Sequence, residues 1–118
     1  MVLFLFVMLS FTIKTPIPSI NGMYRGGRRF LTKEGKASKY AISSELSSTG
    51  KIERLAGDLA VNVVFYFPDK RRRDIDNCLK ALLDCCTGVL YDDDSQITEL
   101  HVYKEIDIKN PRTIIQVL

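Results

Sequence analysis

Long apolar runs are nearly absent from this chain of 118 residues. The longest is the nine residues Met1 to Leu9, whereas a bilayer-spanning helix needs about 20. A membrane channel or transporter is therefore not expected. The same run resembles the apolar part of a secretion signal, but no basic residue precedes it and no small-x-small cleavage site follows, so export is not expected. Cysteine is scarce and poorly placed for crosslinking. Cys78, Cys85 and Cys86 are odd in number and two of them are adjacent, which is no disulfide framework and suits a reducing cytoplasm. No C-x-x-C pair occurs and His101 is the only imidazole, so zinc is not expected either. Small buried apolar groups are the expected role of all three thiols. Internal repeats, low-complexity segments and a Walker-type glycine loop are missing as well. What remains is ordinary: 46% hydrophobic and 26% charged residues, in a length that fits one domain and is too short for a deep dinucleotide-binding enzyme.

Charge is present on both sides but segregated. Residues 1–73 hold 13 Lys/Arg against 5 Asp/Glu, a net of +8, and residues 74–118 hold 4 against 9, a net of −5. A basic half facing a polyanion and an acidic half facing cations suit a metal-dependent enzyme of nucleic acids.

The patterning reads as β-α-β-α-β-β, an α+β fold of two layers with helices on a small mixed sheet. Leu9, Phe11 and Ile13 alternate with polar residues up to Thr15 and predict a half-buried strand. Residues 1–7 read as an N-terminal extension of that strand, with Met8 a second possible start. Two prolines and three glycines between Pro16 and Arg29 predict a loop, and its Tyr24, Arg25, Arg28 and Arg29 are candidate contacts to phosphates and bases. Inward packing of Tyr24 is the plainer reading of that residue. Thr32 is a candidate cap for a helix with Ala37, Tyr40, Ala41, Ser44 and Leu46 at near-helical spacing, ending at Ser47 to Gly50. Residues 51–57 read as a connector. Asp58 to Phe67 is apolar on both faces, as central strands are. Ile75, Leu79, Leu82, Leu83 and Cys86 mark one side of a helix over 74–86, with Asp76, Lys80 and Asp84 four apart on the other. Strands over 96–105 and 113–118 finish the single domain.

The densest polar information is Lys70, Arg71, Arg72 and Arg73, then Asp74 and Asp76, then Asp92, Asp93 and Asp94 after a gap. Consecutive cations contact phosphates without reading sequence. A D-x-D pair at a helix start lets two carboxylates converge, and Mg²⁺ binds through one or two carboxylates plus water and substrate oxygens. A carboxylate from the Asp92–Asp94 turn could complete such a site. Each feature alone has a simpler reading, a helix cap or a solvated turn. Side by side they repel unless a cation resolves them.

The stretch PDKRRRDIDNCLKALLD from Pro68 to Asp84, with GVLYDDDSQI from Gly88 to Ile97, closely resembles the RusA family of Holliday junction resolvases. PIPSINGMYR from Pro16 to Arg25 and LTKEGK from Leu31 to Lys36 are similar to that family's N-terminal motifs. The resemblance spans residues 8–105. It implies that Asp74 and Asp76 are paired metal-binding aspartates and that Asp94, in preference to Asp93, is the third. It implies that Lys80 is a catalytic lysine and that residues 70–73 contact DNA. It further implies a homodimeric, Mg²⁺-dependent endonuclease making paired nicks across a four-way DNA junction. The apolar segment Met1 to Leu9 and the two-faced strand Asp58 to Phe67 are candidate dimer or inter-layer surfaces, and burial within one subunit is the simpler reading of the strand. A DNA-binding module without nuclease activity and a Mg²⁺-dependent nucleotide hydrolase are the competing functions.

Overall fold

A computed structural model describes residues 9–26, 30–48 and 54–118. In chain order they form β1 (Leu9–Ile13), α1 (Ile20–Met23), β2 (Tyr24–Arg25), β3 (Phe30–Leu31), α2 (Lys33–Ser47), β4 (Leu59–Phe67) and α3 (Ile75–Cys86). A 3-10 turn (Asp94–Gln96), β5 (Ile97–Ile106) and β6 (Arg112–Val117) complete the chain. The α+β layering follows the sequence expectation, with three helices on a mixed four-stranded sheet. The N-terminal extension at residues 1–7 lies outside the described residues.

Two local expectations need correction. The stretch after Pro16 is not all loop: α1 and one half of the small β2–β3 ribbon occupy it. Capping explains the helix, because the Ser19 hydroxyl accepts the Gly22 amide at 3.2 Å and offsets an otherwise poor helix-forming run. The second concerns α2. Its inward residues are Gly35, Ile42 and Leu46, and Tyr40 is 77% exposed. Helix entry sets that rotation. Thr32 Oγ1 accepts the Gly35 amide at 2.9 Å and donates to the Gly22 carbonyl at 2.8 Å, which pins the first turn of α2 onto the end of α1. A Cβ on Gly35 would lie 2.9 Å from Met23 Cα, so only glycine permits this approach.

The strand order is β1-β6-β4-β5. β6 pairs antiparallel with both β1 and β4, while β4 and β5 are parallel. Parallel neighbours cannot be joined by a tight turn, so α3 forms the crossover and runs back along the sheet. The first turn of α3 therefore lies where β4 ends, and its last turn lies where β5 begins. Central placement of β4 accounts for its two-faced apolar character. Val61, Val63 and Phe65 are fully buried under the helices with Ile13, Ile115, Ala81 and Leu82, each large aliphatic or aromatic one contributing roughly 1.5–3 kcal/mol.

The three thiols belong to this core. Burial raises the Cys85 thiol to about 11 and raises Cys78 and Cys86 as well, so they remain neutral packing groups at physiological pH. No helix of the described residues is long and apolar enough to cross a membrane.

Candidate active site

Pro68 ends β4, and a tight turn carries the chain into α3. Asp69 builds that turn. Its Oδ1 accepts the Arg71 amide at 2.9 Å and Arg73 Nη1 at 2.8 Å. Arg73 also donates to the carbonyls of Asp69 and Arg71, at 3.3 Å each, and lies over the Phe67 ring at 4.5 Å. The Arg73 guanidinium, followed by the Arg71 amide, holds the Asp69 carboxyl below its usual range. With its side chain only 20% exposed, Arg73 is a builder of the turn. Lys70, Arg71 and Arg72 are exposed, and among the described residues their side chains make no hydrogen bond or ion pair. Lys104 is a cation that sequence reading missed: its Nζ donates to the Arg73 carbonyl at 3.1 Å. The signal was there, since Leu100, Val102 and Lys104 share the helix-facing side of β5 and the last carries a charge.

Asp74 occupies the N-cap position of α3 with extended backbone, yet its side chain makes no capping bond. Asn77 Nδ2 reaches Asp74 Oδ2 at 3.5 Å, at the limit of a hydrogen bond. The plain capping role is thus left unused, and the carboxylate stays exposed. Asp76 in the first turn and Lys80 one turn further are exposed too. An open cleft of about 300 Å³ abuts this end, lined among others by Ile17, Ser19, Phe67, Arg72, Asp74 and Asn77.

Asp94 lies elsewhere. It opens the 3-10 turn before β5, and Ile97, the first residue of β5, pairs beside Leu59 at the start of β4. Asp74 follows the end of β4. The length of α3, about 18 Å at 1.5 Å per residue, separates them. Among the described residues no three His, Cys, Asp or Glu side chains gather as a metal site. Completion of the Asp74–Asp76 pair by Asp94 of the same chain is therefore corrected. The parallel β4–α3–β5 crossover, invisible in residue spacing alone, puts them at opposite ends.

At this second end three acids are committed. Tyr24 donates its hydroxyl to Asp84 Oδ2 at 3.2 Å, so Tyr24 packs inward, as its plainer reading has it. Arg54 pairs with Asp92 at 3.0 Å, and Asp93 is engaged in a capping box with Gln96. Gln96 organises the turn: Oε1 accepts the Asp92 and Asp93 amides, and Nε2 donates to the Leu55 and Gly57 carbonyls, all at 2.9–3.1 Å. The Asp94 carboxylate makes no hydrogen bond or ion pair among the described residues, and it is exposed. Arg25 is also exposed and shares an open groove with Lys33 and Lys36. Arg28 and Arg29 lie outside the described residues.

Fold and site define a small α+β domain that displays uncommitted carboxylates beside uncommitted cations on one βαβ crossover. The profile of Endodeoxyribonuclease RusA matches residues 14–118. A crossover junction endodeoxyribonuclease RusA of Shigella sonnei is 30% identical over 101 residues, covering 82% of this chain and 84% of that protein. Its namesake in Aquifex aeolicus is 31% identical over 110 residues, covering 88% and 85%. The one from Enterobacteria phage 82 is 32% identical over 90 residues, covering 74% and 75%. The chain belongs to the RusA family of endodeoxyribonucleases.

Proposed function

We propose that this protein is a Mg²⁺-dependent, structure-selective endonuclease that resolves four-way DNA junctions by paired nicks, serving recombination and repair. The observation that carries the reading is the pair Asp74 and Asp76, exposed and left out of capping, directly after the free cations Lys70, Arg71 and Arg72. An all-oxygen donor set of one or two carboxylates with open surroundings fits a hard divalent cation. When bound, that metal would polarise a phosphoryl oxygen and lower the pKa of a coordinated water. The chain supplies the rest. Lys70, Arg71 and Arg72 seat the phosphates flanking the cut, and Lys104 adds positive charge from β5. Lys80, exposed on the same helix, donates to oxygen at the scissile phosphate as negative charge develops there.

The separation of Asp94 supports a homodimer. If Asp74, Asp76 and Asp94 act on one metal, as the family resemblance implies, the third carboxylate must come from a second copy. A two-fold axis would then build two composite sites at once, matching the near two-fold symmetry of a junction. Arg25, Lys33 and Lys36, beside the Asp94 end, would track DNA toward the same composite site.

The uncommitted carboxylates argue against a silent DNA-binding module. The openness of the cleft and the missing glycine loop argue against a nucleotide hydrolase. Incubation with branched DNA, linear duplex and nucleoside triphosphate, each with Mg²⁺ or with chelator, tests all three. Paired nicks in the branched DNA alone, only with metal, are expected. Triphosphate turnover without nicking, or binding without nicking, would overturn the reading.

A further inference from the structure

A second cleft, of about 180 Å³, adjoins the Asp74 end of the molecule and shares Ile17, Phe67 and Arg73 with the cleft beside Asp74. Its walls include Pro16, Pro68 and Pro111, gathered where β1 and β4 end and β6 begins. Lys14, Thr15 and Thr113 also line it, together with two guanidinium groups, each laid over an aromatic ring. Arg73 lies 4.5 Å from the Phe67 centroid, and Arg112 lies 3.9 Å from that of Tyr66.

Both guanidinium groups are already neutralised. Arg73 pairs with Asp69 at 2.8 Å and Arg112 with Asp107 at 2.9 Å. A phosphate gains little from paired guanidinium groups and nothing from proline and isoleucine walls, which leaves the exposed Lys14 as its one attraction here. A flat, uncharged aromatic ring gains from guanidinium groups and walls alike, since bases stack on aromatic side chains and on arginine planes. The size agrees. A cavity of about 150 Å³ accepts a benzene ring, so this cleft has room for one nucleobase and none for a base pair.

We propose that this cleft is a subsite for a single unstacked nucleobase next to the phosphate held at Asp74. The occupant is a base freed from its stack, and a branch point is where duplex DNA offers one. Regular duplex would have to break a pair to fill the cleft. The subsite thereby ties DNA selection to structure.

The test uses the full chain in metal-free buffer and reads binding alone. Junctions carrying one abasic nucleotide, moved stepwise away from the branch point, should lose affinity about tenfold or more at one position and little elsewhere. Arg112→Lys keeps the charge and removes the planar group. It should weaken binding of the intact junction and leave the affinity for the abasic junction unchanged. A scan with no dip overturns the subsite, and the wild-type scan decides this even if the variant folds poorly. Equal weakening of intact and abasic junctions by Arg112→Lys also overturns it, because that is how a phosphate contact behaves. The position of the bound strand rests on the junction-cutting reading. Equal affinity for branched and linear DNA would contradict that reading separately, while the abasic scan still decides the subsite.

Discussion

The two ends of α3 use the same kinds of residue in opposite ways. At its first turn the carboxylates of Asp74 and Asp76 are spared, and a cation, Arg73, is spent on Asp69, Phe67 and the turn carbonyls. At its last turn the carboxylates are spent, Asp84 on Tyr24 and Asp92 on Arg54, with Asp93 in its capping box. Among the described residues, Asp94 and Asp58 are left over. The comparison separates charges that hold the scaffold from charges available to a substrate. It also shows that, among the described residues, neither end of one chain gathers three available carboxylates.

The largest expected effect breaks the first end. Asp74→Asn or Asp76→Asn should reduce junction nicking by about a thousandfold or more, because the metal's stabilisation of the transition state is worth several kcal/mol. Junction affinity should stay level or rise, since the exposed cations Lys70, Arg71 and Arg72 remain. Nicking near the wild-type rate, measured with affinity on the same preparations, would remove the metal assignment. A smaller effect is expected from the scaffold of the second end. Gln96→Ala removes four hydrogen bonds that fix the turn before Asp94. A residue one step removed from a ligand typically costs about 10–100-fold in activity or metal affinity. An unchanged Mg²⁺ dependence in this variant would show that the position of Asp94 is irrelevant.

The contrast between spent and spared cations is sharpened by salt. Replacing Arg71 and Arg72 with Ala should flatten the log–log salt dependence of binding by about 0.9 per lost phosphate contact. Arg73→Ala should leave that slope alone and lower stability instead, by about 2 kcal/mol for its charged hydrogen bonds. A slope lowered equally by all three would erase the distinction. The smallest effect is in the core between the two ends. The Cys85 thiol is raised from 9.0 to about 11 in the fold. Stability from this group is complete below pH 9 and is lost as pH rises through about 11, because the unfolded chain ionises first. Cys85→Ala should soften that alkaline decline in denaturant titrations, and an identical pH profile would show that the thiol's burial contributes nothing.

Much of this arrangement was legible in the chain. Alternation at Leu9 to Ile13, the two-faced run ending at Phe67 and the apolar stripe from Ile75 to Cys86 are local patterns, and local patterns survive folding. The rotation of α2 was not legible, because it depends on Gly35 docking against Met23, a contact between helices. Arg73 looked equivalent to its neighbours until the turn at Asp69 set its direction. The placement of Asp94 was hidden for a topological reason. Sequence shows that a strand follows α3, but not that this strand pairs parallel to β4 and so begins at the far end of the helix. The choice between Asp93 and Asp94 was not legible either, because it turns on Asp93 being engaged with Gln96 in a capping box while Asp94 is not.

Subunit mixing tests the central claim, that a complete site takes Asp74 and Asp76 from one chain and Asp94 from another. Asp74→Asn and Asp94→Asn chains are each expected to be inactive alone. Unfolded together, refolded as mixed dimers and given Mg²⁺ and a four-way junction, they should regain nicking at one site per mixed dimer. Those cuts should be single and unpaired. A mixture as inactive as its two parents, with mixed dimers shown to have formed, would contradict the shared site.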